Sequence, residues 1–130
     1  MAATAEKTAQ TAYILVDGVD SLLEEYKWVR SPANRQARVA LTRASFLLRA
    51  RTRQGGTERT LLEDAAILAE AARDGFDYVI EKSRVARERR AADRLWYAAQ
   101  SILAFAKYRT RDGSHSYAAP LTYLQDVGAV

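Results

Sequence analysis

The chain has 130 residues, 28% of them charged and 48% hydrophobic, with a formal net charge of +4 and no cysteine. That length suffices for one domain with its own core, and the apolar share argues against a disordered chain. Without cysteine there are no disulfides, thiolate metal sites, iron–sulfur clusters or cysteine nucleophiles.

The N-terminal "MAATAEKTAQTAYILVDG" lacks a basic segment followed by an unbroken apolar stretch, so no signal peptide is expected. No run approaches the ~18 apolar residues that span a bilayer. The expectation is a soluble, cytoplasmic protein that does not engage membranes.

A first helix is predicted from about Glu6 to Arg30, with Tyr13, Val16, Val19, Leu23, Tyr26 and Val29 as its apolar stripe and Gly18 inside it. Ser31-Pro32 then starts a second helix, serine as the N-cap and proline at the first helical position. It runs to about Arg53 and stops at Gly55-Gly56. A third helix opens at Thr60, which makes a capping box with Glu63, and ends at Asp74-Gly75. From Phe76 to about Thr110 there is neither proline nor glycine, a length that predicts a break or bend within Ser83–Arg90. "RDGSHS" is a turn, and a short last helix starts near Pro120 and ends at Gly128. No alternating strand pattern occurs. The fold class is all-α, a compact single-domain bundle of five or six helices.

Charge is segregated along this plan. Tyr26–Thr57 holds eight basic residues and no acid, whereas Thr57–Glu81 holds seven acids against two arginines. Sixteen of the twenty cations are arginine, whose planar fork suits phosphate. At about 100° per residue, Ala37, Ala40, Leu41, Ala44, Leu47 and Leu48 form the core face of the second helix. Arg35, Arg38, Arg49 and Arg53 lie opposite, with Thr42 and Phe46 among them and Arg43 alongside. A ring set between arginines is how single-stranded nucleic acid is held, phosphates on the guanidinium groups and a base on the ring. The bland alternative is a solvated face, with Val39 and Phe46 packed on a neighbouring helix. Against it, solvated faces usually mix signs to form i,i+4 pairs, and this stretch has no acid of its own.

A second cluster, "EKSRVARERRAADR", adds Lys82, Arg84, Arg87, Arg89, Arg90 and Arg94. A straight helix would place Arg84, Arg87 and Arg94 beside Ile80 and Ala91, where a core does not take unpaired guanidinium groups. The helix therefore bends here or faces an open groove. Lys107, Arg109 and Arg111 form a third group near the single histidine, His115. With one histidine, no Glu-x-x-His pair and no calcium-type loop, neither metal nor cofactor is expected. Glu24-Glu25 and Glu63-Asp64 point to different helix faces and make no acid/base pair.

Two family resemblances bear on function. "RTRDGSHSY", with Arg109 and His115, resembles the Arg-x4–6-His motif of the HEPN family of small helical ribonucleases. That resemblance implies an arginine and a histidine acting on an RNA phosphate, usually across a homodimer. The segment departs from the family: Thr110 follows the arginine where another polar residue is usual, Asp112 follows Arg111, and Gly113 places the stretch in a turn. More of the chain is similar to the small helical subunit of CRISPR effector complexes. The features that match are "TAYILVDGVDSLLEEYKWV", the arginine-bearing second helix and "LWYAAQSILAFAKYRTR". This resemblance implies a basic, non-catalytic bundle that assembles with other subunits and copies of itself and holds nucleic acid electrostatically. The expected function is therefore a non-enzymatic nucleic-acid-binding subunit of a ribonucleoprotein assembly, for RNA or single-stranded DNA. The alternatives are a HEPN-like ribonuclease or toxin component, and a protein-interaction or phage structural adaptor bundle.

Overall fold

The computed structural model describes residues 2–54, 59–107 and 118–130, and side chains within 11–50, 61–107 and 120–130. Its helices are α1 (Ala2–Glu25), α2 (Pro32–Gln54), α3 (Arg59–Lys82), α4 (Ala86–Lys107) and α5 (Ala118–Asp126), with no strand among the described residues.

α1 stops before the expected Arg30 and gives way to a turn over residues 26–28. Tyr26 N–H donates to the Leu22 carbonyl at 3.0 Å and Val29 N–H to that of Tyr26 at 3.2 Å. Proline bars helical geometry only at Ser31; the earlier end is held by Arg38, which donates to the carbonyls of Lys27 and Val29. Arg35 N–H reaches the Ser31 carbonyl at 2.9 Å, which makes Ser31 the N-cap. Val16, Val19 and Val29 of the expected stripe are buried and Leu23 and Tyr26 pack against the core, while Ala12, Leu15 and Leu22 widen the stripe and Tyr13 is exposed.

The third helix does not end at Asp74-Gly75 but continues to Lys82. Gly75 serves a different purpose there. A Cβ on it would stand 2.9 Å from the Ala37 Cβ, so the glycine lets α3 approach α2 closely. Phe76–Lys82 therefore belongs to α3, and the expected break falls at Ser83–Val85. Ser83 bridges it, with its N–H on the Val79 carbonyl at 2.9 Å and its hydroxyl accepting from Val85 N–H at 3.2 Å. The capping box at Thr60 lies outside the described side chains.

Successive helices run antiparallel. Ser45 of α2 bonds Asp20 of α1 at 2.8 Å, and Arg73 of α3 bonds Gln100 of α4 at 3.0 Å. α4 touches all four other helices, and its second half, Ser101–Ala106, is buried all round. The core gathers Leu15, Leu41, Leu48, Leu62, Phe76, Leu95, Ile102, Phe105 and Leu124 around it. α5 closes with a left-handed glycine, Gly128 at φ 73°. Ala129 N–H then reaches Leu124 and Gly128 N–H reaches Gln125, which satisfies the last carbonyls.

Candidate nucleic-acid interface

On α2 the apolar and basic faces separate as expected. Ala37, Leu41, Ala44 and Leu48 are buried, and Arg35, Val39, Thr42, Arg43 and Phe46 face outward. Phe46 is 67% exposed, so it packs on no neighbouring helix. Arg35, Arg38, Val39, Thr42 and Arg43 line an open depression of about 240 Å³.

Two of the stripe's arginines are committed to the fold. Arg38 is half-buried and donates to the carbonyls of Lys27 at 3.2 Å and Val29 at 2.9 Å, closing the end of α1. Arg49 pairs with Asp20 and lies 3.7 Å from Asp17, both on α1. The stripe does have acids, then, but the neighbouring helix supplies them. The Arg53 side chain lies outside the described residues.

The second cluster divides in the same way. Arg89 donates to the Ser83 carbonyl at 2.8 Å and secures the break. Arg94 donates to the Val127 carbonyl at 2.5 Å and ties α4 to the end of α5. Lys82 stands 3.7 Å from Glu81. Arg84, Arg87 and Arg90 are exposed. The break thus resolves the conflict of a straight helix, because the cations on its two sides no longer share one face with Ile80.

Two residues here escaped sequence reasoning. Trp28, in the turn after α1, carries the Arg87 guanidinium 4.4 Å from its ring centroid. Glu88, on the first turn of α4, reaches across to the start of α2. It accepts from Ser31 Oγ at 3.0 Å, from the Asn34 side-chain amide and from Arg30 N–H at 3.3 Å. Burial alone pushes its carboxyl up, but the bonds from Asn34, Ser31 and Arg30 outweigh burial and hold it below the ordinary value. Through this clasp Arg30 and Arg35 come to the same end of the bundle as Arg84, Arg87 and Arg90. The only sequence signal was an aromatic residue beside the Ser-Pro start in an acid-free run.

The outer face of α3 is the counterpart. Glu63, Asp64, Asp74, Asp77 and Glu81 are exposed along it, with Ile67 and Tyr78 between them. Lys107 stands 3.7 Å from Glu70, whereas Arg109, Arg111 and His115 lie outside the described residues. Among the described residues no group of three or more His, Asp or Glu side chains could hold a metal ion. No helix among them is long and apolar enough to cross a membrane. Compared with known protein families, curated proteins and solved structures, the chain matches none.

Proposed function

We propose that the chain is a non-enzymatic subunit that holds single-stranded nucleic acid, RNA or DNA, along the outer face of α2. The observation that carries this reading is Phe46, exposed on the same face as Arg35 and Arg43. Neither arginine has an acid partner among the described residues. An aromatic ring left in water costs hydration, and its place beside free guanidinium groups suits a stacked base with flanking phosphates. Contacts of this kind position a strand without reading its sequence. The resemblance to the small helical subunit of CRISPR effector complexes adds the idea of a ribonucleoprotein context with copies of the chain side by side.

The test is a salt titration. Each single-strand phosphate contact contributes about 0.7 to the slope of log K against log[salt], so Arg35→Glu with Arg43→Glu should lower the slope by about 1.4 and weaken binding sharply. A flat salt response in the wild type, or a double variant that binds like it, overturns the reading. Labelled RNA should remain intact. Cleavage that disappears in His115→Ala would favour the ribonuclease instead.

A further inference from the structure

The foot of the bundle, where α2 and α4 begin, carries a second aromatic–cationic surface apart from the α2 stripe. Trp28 is 37% exposed there, and the ring of Tyr26 tilts toward it with centroids 6.1 Å apart. Arg87 covers the indole, and Arg90 is exposed about one turn further along α4. Arg84 and Arg30 are exposed in the connections on either side.

Three of the nearby acids are engaged, while Glu25 and Asp93 are exposed. Glu81 stands by Lys82, Glu24 pairs with Lys27 at 2.6 Å, and Glu88 is turned inward onto Ser31 and Asn34. Among the described residues no carboxylate forms an ion pair with Arg84, Arg87 or Arg90. A half-exposed indole covered by Arg87, with Arg84 and Arg90 exposed at the same end of the bundle, is a surface for a ligand both flat and anionic.

Resting on the reading that the chain binds single-stranded nucleic acid, we propose that this foot is a base-stacking subsite. An unpaired base takes the place of the Arg87 guanidinium on Trp28, and Arg84, Arg90 and the displaced Arg87 hold the flanking phosphates. An exposed cation–π contact is weak, and a base offers the indole a larger flat partner. Only an unpaired base fits, because a duplex keeps its bases stacked on one another.

Tryptophan emission of the full chain, titrated with a short oligo(dT), tests this. Quenching is expected, and it should vanish in Trp28→Phe, in which Trp96 remains the sole tryptophan. Trp28→Ala should lower affinity about ten- to hundredfold, the loss of one stacked base. A duplex of equal length should bind more weakly and leave the emission unchanged. Equal quenching by inorganic polyphosphate or polyglutamate overturns the subsite, since neither has a base. So does a folded Trp28→Ala variant that binds oligo(dT) as the wild type does. Should Trp28→Ala fail to fold, Arg84→Glu with Arg90→Glu must lower the quenching affinity at exposed positions, and unchanged affinity there is equally fatal. If Trp28→Ala binds normally while Arg35→Glu with Arg43→Glu does not, the subsite falls and the α2 stripe stands. No binding of oligo(dT) by the wild type ends both.

Discussion

Arg43 and Arg49 sit on one helix within two turns, yet they behave as different kinds of residue. Arg49 is held by Asp20 across the α1–α2 interface, and Arg43 projects into water. Removing a partly exposed ion pair costs about 0.2–1 kcal/mol, and reversing its sign beside Asp17 and Asp20 costs more. Arg49→Glu should therefore lower the melting temperature, while Arg43→Glu should leave stability within about 0.5 kcal/mol of the wild type. Melting curves of the two variants check this, and equal losses would contradict it. Phe46 poses the complementary question. At 67% exposure it contributes little to the core, so Phe46→Ala should spare the fold and weaken oligonucleotide binding by ~1–3 kcal/mol. A variant that melts early and binds normally would make the ring a packing residue after all. Sequence alone could place both residues on the outer face, because a helix fixes direction every 100° or so. It could not show that Asp20, on another element, reaches Arg49.

Among the elements, the most instructive is α3. Asp-Gly after an apolar run is a sound signal for a helix end, and it misleads here because the same glycine also permits close helix contact. Only the position of Ala37, 38 residues earlier in the chain, decides between the two. A leucine at Gly75 must push α2 and α3 apart, so Gly75→Leu should destabilise by about 1–3 kcal/mol despite leucine's better helix propensity. Urea unfolding would show it; a gain in stability would return Gly75 to the role of a helix terminator. The start of α2 was legible because Ser31-Pro32 acts locally, and so was the break at Ser83–Val85, demanded by arginines that a core refuses. The exposure of Tyr13 was not, since its spacing from Val16 and its apolar ring fit the inner face of α1.

The clasp between α4 and the start of α2 also acts at this scale. Glu88 has a depressed pKa in the fold, so its contribution is fully present above the ordinary carboxyl value of 4.5 and is lost as pH falls through the lower folded value. Wild type and Glu88→Gln should thus differ in stability by a constant amount between pH 6 and 8, and converge on acidification below about 4.5. Denaturant midpoints across that range measure the difference. A gap that does not close would mean that Glu88 contributes independently of its charge.

For the molecule as a whole, the charge segregation read along the chain becomes a segregation in space. The α2 face and the foot are basic, and the outer face of α3 is acidic. A polyanion approaching this field is steered to one side and repelled from the other. Bound oligo(dT) should slow amide exchange in 27–43 and 84–90 and leave 63–78 unchanged, as hydrogen-exchange mass spectrometry can resolve. Uniform slowing would point to global stabilisation instead.

Glu88 has one more consequence. Its carboxylate sits beside the Ser31 N-cap, near the positive end of the α2 dipole, with Ser31 Oγ, the Asn34 side-chain amide and Arg30 N–H as its donors. The chain itself thus supplies an anion at that spot, and a strand bound as proposed would be left to long, pliant arginine arms. Acid unseats this resident anion and weakens the fold, while making the foot more positive. On the proposed reading, grip and rigidity therefore trade against each other as protons are added: a bound strand would be held hardest when the fold is nearest to coming apart.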